Sequence, residues 1–256
     1  MPGTSPSDHL DITNFTVGGM LRAGVALRVL MRGVDSLEEA ADRVVRFFHD
    51  NCVDPGNGRR TTVLVRFYKT HRYGELPLDV KLLASRALDG NTTTPDPDLR
   101  CLTLLATAGD EPAWMSRRSS RAHQVIPLPS ADIVRKAPMI ARLIEELGFD
   151  IESVVRGNAP AVRPGDAKTY DVFHVKDAFG SPSIPAQDEF VVPYAVTSVL
   201  GFGGLLRSGE LFAIILFARA PIPEASASRF RAIALDVRSA LYALNEDSTW
   251  KADVER

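Results

Sequence analysis

The chain has 256 residues, 45% of them hydrophobic and 24% charged, and its 30 basic against 32 acidic residues leave a formal net charge of -2. That length and apolar content suit a folded domain with a proper core, and the balanced charge gives no overall field to recruit nucleic acid or an anionic membrane surface. The longest apolar stretches, Tyr194 to Leu200 and Leu211 to Ala218, fall far short of the ~18 to 20 residues that span a bilayer, while the 2 cysteines and an amino end without secretory order place the chain in a reducing cytoplasm.

Met1 to Ser7 is rich in Pro, Gly and Ser and reads as a tail, so residues 1–13 are expected to be flexible and folding to begin near Asn14. Gly18 to Met31 mixes apolar residues with Arg22 and Arg28 and reads as a helix weakened by its glycines, each costing roughly 1 kcal/mol against alanine. Ser36-Leu37-Glu38-Glu39 has the spacing of a capping box, and Leu37, Ala41, Val44 and Phe48 then recur at helical period. Asp54-Pro55-Gly56-Asn57-Gly58 turns the chain into Thr61 to Tyr68, a strand rich in β-branched and aromatic residues.

Leu78 to Leu88 reads as a short helix, Asn91 to Asp98 as a loop, and Leu99 to Thr107 as a second strand. Ile126 to Pro129 is limited by its prolines to an extended edge, because proline cannot donate to a ladder. Pro138 opens a helix that Gly148 stops, and Arg156 to Lys168 is expected to be loop. Tyr170 to Val175 reads as another strand and Ser181 to Gln187 as another loop.

The clearest pattern comes last. Tyr194 to Phe202, ending among Gly201, Gly203 and Gly204, a turn at Arg207-Ser208-Gly209, and Leu211 to Ala218 form an antiparallel hairpin. A helix follows whose stripe is Phe230, Ile233, Ala234, Val237 and Leu241. Strands divided by helices without a repeated βαβ unit, plus a hairpin, predict an α+β fold as a single domain over 14–245, with 246–256 a second tail.

Tyr194 through Leu244, with Val199-Leu200-Gly201-Phe202-Gly203-Gly204 and Gly209-Glu210-Leu211-Phe212-Ala213, resembles the carboxyl half of GAF domains. Ile126-Pro127-Leu128-Pro129-Ser130 and Ile184-Pro185-Ala186-Gln187 are similar to a GAF-related input region found beside bacterial sensor kinases. The resemblance implies a central antiparallel sheet flanked by amino- and carboxyl-terminal helices, a ligand pocket on one face and a helical dimer contact on the other. The chain stops soon after its last helix, so no kinase, cyclase or phosphatase module is expected to follow.

No catalytic motif stands out. The glycines Gly201-Phe202-Gly203-Gly204 precede a strand, not the helix amino end a phosphate cradle needs. Ser208 lacks the surroundings of a nucleophile elbow, and Glu145 with Glu146 reads as a solvated helix face. His49 and Cys52, with Cys101, have a metal-compatible spacing but no second compact ligand pair, so no metal is expected.

The candidate ligand contacts are His123 with neighbouring Arg121, His174 with Phe173, and Trp114 with Tyr194. Imidazole and guanidinium both donate to an anionic or carbonyl-bearing ligand, and alternation places His174 on the strand face opposite Phe173 and Val175. The expectation is a non-enzymatic small-molecule sensor in signal transduction, acting as a homodimer on a partner protein, with the cofactor, haem included, left open. Two alternatives stand beside it: a thiol-dependent reductase using Cys52 and Cys101, and a dimerisation module without ligand.

Overall fold

Near-continuous apolar runs, as in Leu211–Ala218, give a sheet that is buried on both sides. In the computed structural model, which describes residues 9–88, 94–120, 122–158, 171–242, 244 and 249–250, six strands pair antiparallel. They are β1 (Thr62–Arg72), β2 (Arg100–Gly109), β3 (Val125–Pro127), β4 (Val172–Val175), β5 (Ser198–Leu205) and β6 (Leu211–Ala218), ordered β3-β2-β1-β6-β5-β4. The α+β class and the central antiparallel sheet are as expected. Both edges are short, and the outer β3 ends in a proline, the position a missing N–H tolerates.

The first face carries Val65, Phe67, Leu200, Phe202, Phe212, Ile214 and Leu216. It packs against α1 (Val17–Leu30), α2 (Leu37–Asn51) and α8 (Phe230–Leu241). All five predicted stripe residues of α8 are buried. The rings of Phe15, Phe48 and Phe202 each approach that of Phe230, with centroids 4.7, 6.1 and 5.2 Å away. Burying such rings contributes roughly 1.5 to 3 kcal/mol apiece by area alone. A further helix, α3 (Leu78–Ala87), covers a small third cluster around Cys101 and Val125.

Local chemistry sets the helix ends. Ser36 Oγ accepts from the Glu39 N–H at 3.2 Å, while the Glu39 carboxylate is taken by Arg43 at 2.7 Å, so only the serine half of the capping box forms. In α1, Thr16 Oγ1 accepts from the Gly19 N–H at 3.1 Å. Gly24 is needed for close approach: a Cβ there would lie 2.2 Å from Asp236 Oδ2 on α8.

The second face carries Leu64, Leu102, Leu104, Phe173, Val175, Val199, Ala213, Ile215 and Phe217, packed against α4 (Ala131–Arg135), α5 (Pro138–Glu146), α6 (Ile151–Arg156) and the segments around Ile184, Val191 and Val196. Helices α4 and α6 were not anticipated. They are too short to show a period, and each is set by its cap, Ser130 Oγ accepting from Ile133 N at 3.3 Å and Asp150 Oδ2 from Ser153 N at 2.8 Å. A four-residue α7 (Glu224–Ala227) precedes α8.

The hairpin forms, with a shifted first strand. β5 starts at Ser198, after a π-helical turn over Gln187–Val191 and a left-handed Ala195 (φ 52°), so Tyr194 lies in the connection. It then runs through its glycines to Leu205. A Cβ at Gly203 would stand 2.1 Å from the Phe212 carbonyl oxygen, so glycine here permits strand contact and does not end the strand.

Ordered packing also reaches past 14–245 at both ends. Leu10 and Ile12 are buried, and Leu10 N–H donates to Asn51 O at 2.8 Å. Thr249 O accepts from Glu38 N–H at 2.9 Å, and Trp250 stacks on His71 with centroids 5.2 Å apart. Among the described residues no helix is long and apolar enough to cross a membrane. Tyr170, Arg121 and most of the loop expected over 156–168 lie outside the described residues.

Candidate functional site

Directly opposed residues in an antiparallel ladder share a face, so the register reads out one row across the middle of the second face. Thr107 on β2 faces Arg66 on β1, which faces Ile215 on β6, then Gly201 on β5, then Phe173 on β4. The row therefore sets a guanidinium and a hydroxyl among apolar residues. Arg66 is 8% exposed and Thr107 not at all.

Arg66 is held by a relay. Its Nη1 donates to Tyr68 Oη at 3.2 Å, and that hydroxyl donates to the His123 carbonyl oxygen at 3.1 Å. His123 has a left-handed backbone (φ 58°), uncommon outside glycine, which turns its carbonyl toward the sheet. Among the described residues Arg66 Nε and Thr107 Oγ1 are buried without a hydrogen-bond partner, and no carboxylate pairs with Arg66. Arginine does not shed its proton, and a buried unpaired charge costs several kcal/mol.

The other buried arginine and lysine are treated differently. Lys69 Nζ lies 3.3 Å and Arg100 Nη1 3.8 Å from the carboxylate of Glu210.

His123 thus joins the site, through its carbonyl and its ring. The residue is exposed at its rim, yet surrounding protein withdraws water from the imidazole and Arg66 repels a second positive charge. Both hold its pKa below the usual histidine value, the desolvation more strongly.

Trp114 and Tyr194 meet each other beside this row. Their ring centroids are 4.7 Å apart, and Phe190 lies 5.6 Å from Trp114 and 5.0 Å from Phe217. Phe217 faces Leu64, one row along the same sheet face from Arg66.

Phe173 ends the Arg66 row but is fully buried beneath the Arg142 guanidinium, 5.4 Å from its ring, and serves as a wall. His174 points to the opposite face, as alternation predicted. Its Nδ1 lies 3.2 Å from Glu224 Oε2, so it does not meet His123.

The thiols are far from reactive. Cys52 and Cys101 are free, fully buried and in different core clusters. Burial alone pushes the Cys101 thiol up to about 12 and that of Cys52 higher still. Such thiols remain protonated and poor nucleophiles at neutral pH.

His49, itself buried, lies with Nδ1 3.3 Å from Asp50 and Nε2 3.3 Å from Asp110, a network that reaches the surface through Asp50. Among the described residues no group of three or more His, Cys, Asp or Glu is placed to hold a metal. A cavity of about 150 Å³ between α2 and β2 is lined by Glu38, Asp42, Arg46, Leu105 and Arg117 and lies on the first face; its arginines are paired, Arg46 with Asp42 at 2.8 Å and Arg117 with Glu38 at 2.5 Å.

Arg66 is the residue the sequence reading passed over. The signal was available as one arginine inside Val63-Leu64-Val65-Arg66-Phe67-Tyr68, a strand too apolar for a solvent-facing cation.

No protein-family model and no curated protein matches the chain. Among solved structures it is similar to the phycoerythrobilin-bound GAF domain from a cyanobacterial phytochrome, at 12% identity over 90% of this chain and 96% of that one, with a TM-score of 0.40. It is also similar to the photosensory core module of the Stigmatella aurantiaca phytochrome, at 14% identity over 88% of this chain and 36% of that one, with a TM-score of 0.39. The likeness is one of fold, and it brings no ligand to this chain.

Proposed function

We propose that the chain is a non-enzymatic, small-molecule-sensing regulatory domain of signal transduction, working in the cytoplasm as a homodimer. The observation that carries this reading is the polar pair Arg66 and Thr107, buried side by side with Arg66 Nε and Thr107 Oγ1 unpartnered among the described residues, in a sheet row that is otherwise Ile215, Gly201 and Phe173. Buried polar groups in native proteins are nearly always paired. A row that keeps two of them open is suited to holding a guest between the sheet and the loop that carries His123.

The mechanism is a shift between two arrangements of that loop. The Tyr68 relay links the His123 carbonyl to Arg66, so a guest that favours the closed loop moves the equilibrium by its preference for that arrangement. The opposite face supplies the output surface. Along α1, Val17, Leu21, Val25 and Val29 recur at four-residue spacing and are each 51 to 61% exposed, an apolar stripe suited to the same stripe on a second copy.

Native mass spectrometry after exposure to a cell extract's small molecules, paired with hydrogen exchange over residues 122–128 and solution mass, tests this reading. A retained small molecule with slowed exchange in that segment and dimeric mass is the expected result. A dimer that holds no small molecule, with exchange unchanged, leaves the interaction-module alternative in place of the sensor.

A further inference from the structure

We infer that the guest is a small amphipathic oxyanion, its carboxylate or phosphoryl head gripped by Arg66 and Thr107 and its apolar body laid along Ile215 toward Phe217. This rests on the sensor reading and adds the chemical class of its ligand.

The guanidinium is presented in a fixed direction. Nη1 is occupied by Tyr68 Oη, and the Tyr68 proton is spent on the His123 carbonyl, so Tyr68 orients Arg66 and has no donor left for a guest. What remains is the Nε and Nη2 edge, two parallel N–H groups at the spacing of two oxygens on one carboxylate or phosphoryl group. Thr107, on the neighbouring strand position, adds a hydroxyl that has no partner among the described residues.

Charge gives the same answer. Lys69 and Arg100 share the carboxylate of Glu210, whereas Arg66 has no carboxylate beside it among the described residues. An anion supplies what the fold withholds. Along the row the neighbours turn apolar at once, with Ile215 directly opposite Arg66 and the Phe217–Phe190 pair one row away. A bare inorganic anion would leave that wall unused.

Three probes of one shape test the inference by calorimetry and thermal shift: benzoate, phenyl phosphate and neutral benzamide. At least one of the two anions is expected to bind and raise the melting temperature while benzamide does not, and which anion binds more tightly distinguishes a carboxylate from a phosphoryl ligand. Arg66→Met is expected to weaken the anion by about tenfold or more, and Thr107→Val by about threefold, as lost charge-assisted and neutral hydrogen bonds predict.

Without ligand, Arg66→Met is expected to melt no lower than the wild type, because removing an uncompensated buried charge relieves the fold. If Arg66→Met does not fold, Arg66→Lys and Thr107→Val carry the test, since lysine keeps the charge but loses the two-pronged edge.

Benzamide binding as well as benzoate, with both unaffected by Arg66→Met, overturns the oxyanion and leaves the sensor site intact. A neutral molecule retained from the extract does the same. No retained molecule and no binding by any probe removes both readings together.

Discussion

His71 gives the sharpest test of how this interior handles charge. It lies on β1 with 2% of its surface exposed, neither ring nitrogen in a well-formed hydrogen bond among the described residues, and its ring stacked on Trp250. Burial first, then the positive charges of Lys69 and Arg100, hold its pKa well below the ordinary value, and a weaker pull from the Lys69 backbone does not reverse this.

An unfolded chain takes up the histidine proton near pH 6.5, whereas the folded chain refuses it, so stability falls as pH drops below that value. The limiting slope is about 1.4 kcal/mol per pH unit, and for a folded His71 that stays neutral throughout the loss between pH 7 and 5.5 is at most about 1 kcal/mol from this one residue. His71→Phe keeps an aromatic ring against Trp250 and removes the proton site. Urea unfolding of both proteins at the two pH values, followed by tryptophan fluorescence, should show the variant losing about 1 kcal/mol less than the wild type. The lowered His123 contributes to both proteins and cancels. Equal losses would mean that His71 accepts its proton in the folded state, and the reasoning fails.

Two further outcomes bear on the fold and on the enzyme alternative. Gly203→Ala drives a Cβ to 2.1 Å from the Phe212 carbonyl and 2.9 Å from Ala213 Cα, so β5 and β6 must part; a loss of at least about 2 kcal/mol is expected, and an unchanged melting temperature would refute the close approach. Cys52 and Cys101 should be inert to a chromogenic disulfide reagent in the native protein at neutral pH and react fully in concentrated urea. Rapid native labelling of either thiol would restore the reductase reading.

What could be read from the sequence depended on whether the signal was local. Ser36 as a cap, Pro138 as a first-turn residue and the five-residue stripe of α8 each act within a single helix, and each was found where the residues placed it. The hairpin partners were legible too, but the extent of β5 was not: glycine usually weakens a strand, and only the opposing Phe212 backbone explains Gly203. Arg66 was missed for a related reason. With both sheet faces covered, alternation along β1 separates one core from another and not inside from outside, so a cation in that strand gives no periodic warning. Trp114 and Tyr194 were both named from sequence, yet that they touch each other follows from strand order and a π-helical turn. His174 was placed on the correct face, but its neighbour Glu224 is 50 positions away and no spacing rule connects them.

The two outermost strands have a consequence for what this molecule can recruit. β3 has 3 residues and closes on Pro127, and β4 has 4, so each border offers few unpaired amide and carbonyl groups to an incoming extended peptide. Lengthening the sheet by strand addition is therefore a poor route to assembly or to fibrils, which leaves the helices and loops as the surfaces on offer.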